Sequence, residues 1–170
     1  MSMGGTTLKR EFYRSLHDTV MGREWLRKLV VLGVKLLPGI VYLAYPLMVL
    51  YFFAAQRQWL LRGILVPAAG FLLVTGLRSV INAPRPYEAL GIPSVTPKNT
   101  KGKSFPSRHA ACGAVIAGTA LLTVPVIGWL LLVISLLIAV SRVLAGVHFV
   151  RDVAAGWLLG MAVALVGFLI

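Results

Sequence analysis

His148 and Asp152 stand four residues apart. On a helix that spacing lets the carboxylate receive an imidazole N–H, fix the ring's tautomer and leave the opposite nitrogen free to attack. Such residues are scarce in this chain, which has five carboxylates and three histidines among 170 residues. Beyond Glu88 the only carboxylate is Asp152, and the second histidine of interest, His109, follows Pro106, Ser107 and Arg108 directly. Arg78 and Arg85, with Pro86 after it, precede this group, and Ser141 and Arg142 follow it. Guanidinium groups are the preferred fork for phosphate oxygens, and a helix beginning near Ser107 offers unpaired backbone N–H groups to the same anion. Two imidazoles, three or four arginines and a helix N-terminus make a set suited to phosphoryl chemistry, with positive charge placed where the transition state spreads negative charge.

The elements that must position these residues are apolar. Hydrophobic residues make up 58%, charged residues 13%, and mean hydropathy is +0.86, outside the range of soluble domains. Apolar runs over about Leu29 to Ala54, Trp59 to Ile81, His109 to Val124, Val126 to Ser141 and Asp152 to Ile170 read as five membrane-crossing helices. The third and fourth are short, roughly 24 Å by helical rise. Their ends must therefore sit in the headgroup region or be sheltered by neighbours. Pro38, Pro46 and Pro67 fall inside runs as tolerated kinks, and Pro125 marks a tight turn. Gly113, Ala117, Gly118, Gly156 and Gly160 have the small-residue spacing that lets helices approach closely. The expected fold is all-α: a single membrane-helix bundle over residues 1–170. Residues 1–28, which mix Phe12, Leu16, Val20 and Trp25 with six basic residues from Lys9 to Lys28, are expected to contribute an interfacial helix rather than the alternative, a solvated, loosely ordered arm.

Alternating traverses carry the ends of the second span, the third span's start, the fourth's end and the fifth's start to one membrane face. The long polar loop over residues 82–106 joins two of them there, and a loop of that length in a small protein tends to be functional. The net charge of +12 fits anionic headgroups or an anionic substrate, because many basic residues flank apolar runs. No nucleic-acid recognition module accompanies that charge, so no nucleic-acid partner is expected. One cysteine, Cys112, allows no internal disulfide.

The quoted residues resemble the three signature motifs of the type 2 phosphatidic acid phosphatase superfamily. The first motif, lysine, six residues, then Arg-Pro, is matched by Arg78, Arg85 and Pro86. The second, Pro-Ser-Gly-His, is matched by Pro106, Ser107, Arg108 and His109. The third, Ser-Arg, five residues, His, three residues, Asp, is met in full by Ser141, Arg142, His148 and Asp152. The resemblance implies an integral membrane enzyme of the bacterial inner membrane, without cofactor or metal. It would hydrolyse a lipid phosphate monoester or diphosphate through a phosphohistidine on His148, with Asp152 orienting that ring and His109 serving as general acid. Arg78, Arg85, Ser107, Arg108 and Arg142 would hold the phosphoryl oxygens. Two positions depart from the pattern. Arg78 replaces the lysine, exchanging a compact ammonium for a planar fork. Arg108 replaces the glycine, where a side chain could crowd the pocket or add a cation facing the anion, the latter being the favoured reading.

Other roles remain open for several residues. Asp152 also suits an N-terminal cap of the last helix, Arg151 a snorkelling residue, and Lys98, Lys101 and Lys103 a solvated loop face. The same site could transfer the phosphoryl group to a second lipid, or persist in a lipid-binding or transport protein without catalysis. A polyprenyl diphosphate such as undecaprenyl diphosphate is the favoured substrate, with phosphatidate and phosphatidylglycerol phosphate as alternatives. The basic N-terminal segment shares its side with the site, so the positive-inside rule favours a cytoplasmic face, whereas the resemblance implies an extracytoplasmic one.

Overall fold

The computed structural model describes residues 3–170. Residues 1 and 2 of the expected N-terminal segment lie outside the described residues. The described residues form helices and connecting loops, without strands: α1 (Met3–Met21), α2 (Glu24–Ala55), α3 (Leu60–Ile81), α4 (Pro86–Ala89), α5 (Arg108–Thr123), α6 (Pro125–Leu144) and α7 (Val150–Leu169). A single 3-10 turn over Arg57–Trp59 reverses the chain between α2 and α3.

The large helices are apolar on their outward as well as their buried faces, unlike those of a soluble bundle. On α2, Val30, Val34, Val41, Met48 and Phe52 are buried, whereas Leu29, Leu32, Leu36, Leu43, Leu47 and Leu50 point outward. An outward leucine face this long is stable only against hydrocarbon. By length and composition α2, the stretch Arg57–Ala89 containing α3, α6 and α7 can each cross a membrane. Pro38, Pro46 and Pro67 all sit within helices, and Pro125 opens α6 directly after the Val124 cap.

Of the five expected traverses, α5 is the one that falls short of the other four. It has 16 residues, about 24 Å of rise, and Ala110 through Ala120 are buried without a break. This helix is the hub of the bundle, packed most extensively against α7 and α6 and also against α3 and α2. Its small residues permit that. A Cβ on Gly160 of α7 would lie 2.3 Å from the Ala111 carbonyl oxygen, and one on Gly156 would lie 2.4 Å from that of Ser107. Neither helix could approach so closely with a larger residue at these positions, and the contact holds the starts of α5 and α7 side by side.

α1 packs against the start of α7. Leu8 and Phe12 face outward while Tyr13 and Val20 are buried, the split expected of an interfacial helix. The Tyr13 hydroxyl accepts the Val150 N–H at 2.8 Å, and the Tyr13 ring meets Phe149 edge-on. The chain between α3 and α5, expected as plain loop over 82–106, contains the one-turn helix α4 and is otherwise irregular. Asn82 closes α3 in the left-handed conformation, and its Oδ1 accepts the Lys103 N–H at 3.2 Å. Gly102 (φ +62) sits against the same side chain, where a Cβ would fall 2.4 Å from Asn82 Oδ1. The loop is thereby folded back on its own start.

Candidate active site

The motif residues reach the site from helix ends and the loops that join them. Arg78 lies in the last turn of α3 and Arg142 in the last turn of α6. Ser107 is the N-cap of α5, and His109 occupies its first turn. His148 lies in the loop between α6 and α7, and Asp152 in the first turn of α7. The α5 and α7 starts are joined by a backbone bond, the Ser107 N–H donating to the Asp152 carbonyl at 2.8 Å.

The arginines are buried and braced by backbone carbonyls. Arg78 Nη1 donates to Pro106 at 3.0 Å, Arg85 Nε to Gly102 at 3.1 Å, Arg85 Nη1 to Val147 at 3.3 Å and Arg142 Nη2 to Val34 at 3.2 Å. Arg142 is only 3% exposed. Each guanidinium has five N–H donors, so these bonds fix its plane and leave others to point elsewhere. Arg142 Nε and Ser107 Oγ are both buried without a protein hydrogen-bond partner. Orphaned buried polar atoms are costly, and here two of them belong to residues already expected to hold a phosphate.

Electrostatic proximity joins the remaining members. Arg78 lies within Coulomb reach of Arg85, Arg108 and Asp152, and Arg142 within reach of Arg85. His109 lies within reach of Arg142, His148, Lys98 and Arg108. Lys98, expected on a solvated loop face, instead stands beside the arginines: partial burial, then Arg142, Arg85 and Arg78, draw its pKa downward. Arg108 is exposed, its guanidinium carbon 5.7 Å from the centre of the Phe71 ring on α3. That contact places it at the rim beside the lipid-facing wall. Against these cations stands one buried carboxylate, Asp152, since Glu88 is spent on the backbone N–H groups of Arg85 (2.8 Å) and Gly102 (2.9 Å). Glu88 thus has a structural role, bracing the loop that carries Arg85. The cluster is strongly positive, an arrangement that attracts an anion.

The geometry around His148 corrects the expectation of a direct helical pair. α7 begins at Val150, so His148 is outside the helix, and its Nδ1 lies 3.8 Å from Asp152 Oδ2, too far for a hydrogen bond. Ser104, fully buried and outside all three motifs, occupies the gap. Its hydroxyl donates to Asp152 Oδ2 at 2.5 Å and lies 3.3 Å from His148 Nδ1. The same Oδ2 accepts the Phe149 N–H at 3.0 Å, so Asp152 does cap α7 while facing the histidine. Burial pulls the His148 pKa down to about 4, with Arg85 acting in the same direction and Asp152 opposing. The ring is therefore neutral at pH 7. Among the described residues no group of three or more His, Cys, Asp or Glu side chains is arranged to hold a metal ion.

Known proteins resemble this chain in both fold and sequence. The crystal structure of Aquifex aeolicus LpxE superposes with a TM-score of 0.75 and 26% identity, covering 94% of each chain. A transmembrane PAP2-type phosphatidylglycerolphosphate phosphatase from Bacillus subtilis also gives a TM-score of 0.75. At 23% identity, over 98% of this chain and 86% of that one, it shows a shared fold. Among curated relatives, an undecaprenyl-diphosphatase of Sulfolobus acidocaldarius is 50% identical over 58 residues, 34% of this chain. The bacitracin transport permease protein BcrC of Bacillus licheniformis is 43% identical over 65 residues, 38% of this chain. The matched stretches span only 28% and 32% of those two relatives' own lengths. The family model of the PAP2 superfamily extends over residues 59–170, which include every motif residue of the site, and the chain belongs to that superfamily.

Proposed function

We propose that the protein hydrolyses a lipid-linked phosphate or diphosphate through a covalent phosphohistidine on His148. The observation that carries this reading is the convergence of three chain segments on one end of the bundle. There a buried neutral imidazole lies among buried arginines, and one of their donors, Arg142 Nε, has no protein hydrogen-bond partner. His148 Nε2 would attack phosphorus while His109 protonates the leaving oxygen, and His109 would then draw a proton from the water that cleaves the P–N bond. Arg78, Arg85, Arg142, the Ser107 hydroxyl and the first backbone N–H groups of α5 would hold the phosphoryl oxygens as charge builds on them.

A polyprenyl diphosphate suits the site best. Lys98 and Arg108 extend the positive field beyond the three buried arginines, which fits a second phosphate group. The Sulfolobus relative, 50% identical over its matched stretch, bears the name undecaprenyl-diphosphatase. A tail held in hydrocarbon with its phosphates at the helix ends needs no further transfer from the membrane.

The test is inorganic phosphate release in detergent micelles from undecaprenyl diphosphate, undecaprenyl phosphate, phosphatidate and phosphatidylglycerol phosphate, with and without a chelator. The expected result is fastest release from the diphosphate, unchanged by chelation. Release that stops on chelation would overturn the metal-independent mechanism. Loss of the lipid phosphate without free phosphate would instead indicate transfer to a second lipid.

A further inference from the structure

Ser104 belongs to none of the three motifs, yet it is fully buried between the two residues on which the covalent reading rests. The direct His148–Asp152 separation of 3.8 Å exceeds hydrogen-bond range, whereas the path through Ser104 is 3.3 Å and then 2.5 Å. The direction of that path is determined by its proton count. Asp152 Oδ2 is an acceptor for both the Phe149 N–H and the Ser104 hydroxyl, so the single hydroxyl proton is committed to the carboxylate. The Ser104 oxygen then offers His148 only a lone pair, and Nδ1 must carry the ring proton to use it. With the proton on Nδ1, the lone pair of the neutral ring is on Nε2, the nitrogen that attacks.

We infer that Ser104 is a positioning residue of this centre: its hydroxyl is the link through which Asp152 selects the tautomer and orientation of the His148 ring. The inference rests on the proposed covalent role of His148. During attack the Nε2–P bond forms, the bond from phosphorus to the leaving oxygen breaks, and the ring becomes positively charged while keeping its Nδ1 proton. Ser104 transfers no proton; it carries the carboxylate's influence to the cation by two successive hydrogen bonds.

The hydroxyl is tested separately from the space it fills by comparing Ser104→Thr with Ser104→Val. The two replacements share shape and volume, so any disturbance from the added methyl group is common to both. Ser104→Val is expected to lose about 10- to 100-fold in kcat, the usual effect of removing a partner that orients a reactive group, with KM changed by less than about threefold, as befits an interaction made in the transition state. Ser104→Thr should recover at least about tenfold over the valine variant. In an Asp152→Ala background the Thr and Val variants should converge, since the link then leads nowhere. If the β-branched pair does not fold in detergent, Ser104→Ala, which adds no volume, replaces the valine variant and is compared with the wild type. Equal kcat for Ser104→Thr and Ser104→Val while His148→Ala is inactive would overturn this inference alone. Undiminished activity in His148→Ala would remove the covalent reading and this inference with it.

Discussion

Gly156 offers the sharpest test of how the bundle sets the chemistry, because it has no side chain to touch the substrate and acts only through helix packing. A Cβ at this position of α7 would fall 2.4 Å from the Ser107 carbonyl oxygen and 3.1 Å from the Ser107 nitrogen. Ordinary contact begins near 3.4 Å, so Gly156→Ala demands a displacement of about 1 Å between the starts of α5 and α7. The atoms involved are backbone on both sides and cannot rotate away. The displacement falls on the Ser107 N–H bond to the Asp152 carbonyl (2.8 Å) and on the relative placement of His109 and His148. A misplacement of about 1 Å typically costs about 100-fold in rate, equivalent to about 2.7 kcal/mol in the barrier. Overpacking should also lower stability by about 1–3 kcal/mol. The assay is kcat for phosphate release in micelles beside a thermal melt, with Gly39→Ala as the control, since nothing lies within 4 Å of a Cβ there. The control should keep activity within about twofold and gain roughly 0.5–1 kcal/mol from helix propensity. A Gly156→Ala enzyme with unchanged kcat would refute the claim that close approach of α5 and α7 sets the site.

Further expectations concern individual side chains. Arg142→Lys should lose more than tenfold in kcat/KM, because an ammonium cannot both bond the Val34 carbonyl and present a second donor in a fixed plane; phosphate-release kinetics on micelles read this directly. Glu88→Gln should raise KM several-fold with a smaller effect on kcat, since it weakens two backbone bonds that hold the Arg85 loop, and steady-state kinetics separate the two constants. The His148 pKa, drawn down by burial to about 4, places the acidic limb of kcat/KM well below the 6.5 of an ordinary imidazole. The nucleophile is neutral above that limb and protonated below it, so activity should persist at pH 5.5; a limb centred at 6.5 would contradict the assignment.

The candidate site residues were more legible in the sequence than their mutual geometry. Arg78, Arg85, Ser107, His109, Arg142, His148 and Asp152 stand out because charge is rare in so apolar a chain and falls at run ends, and alternation of the spans carries those ends to one face. The order of helices was legible for the same reason, as hydrophobic runs broken by Pro125 and by the polar stretch after Ile81. Several features were not. The His148–Asp152 spacing of four suggests a helical pair and Asp152 equally suits a cap, and spacing alone does not decide between them; the Phe149 N–H bond to Asp152 starts the helix after Phe149. Ser104 gave no signal, being one serine in an irregular loop whose fold depends on Asn82, Gly102 and Glu88 acting at long range. Lys98 looks like its neighbours Lys101 and Lys103, and only the loop's return path brings it to the arginines. The direction of Arg108 toward Phe71 was likewise hidden, since a residue type does not specify which wall of a site it leans on.

The central claim is that His148 becomes covalently phosphorylated. Its most direct test is to quench the enzyme under alkaline conditions during turnover of a substrate labelled in its terminal phosphate, then locate the label by peptide mass spectrometry. The expected result is an alkali-stable, acid-labile phosphate on the peptide containing His148, absent from His148→Ala. Turnover in His148→Ala, or label found reproducibly on a different residue, would contradict a covalent role for His148.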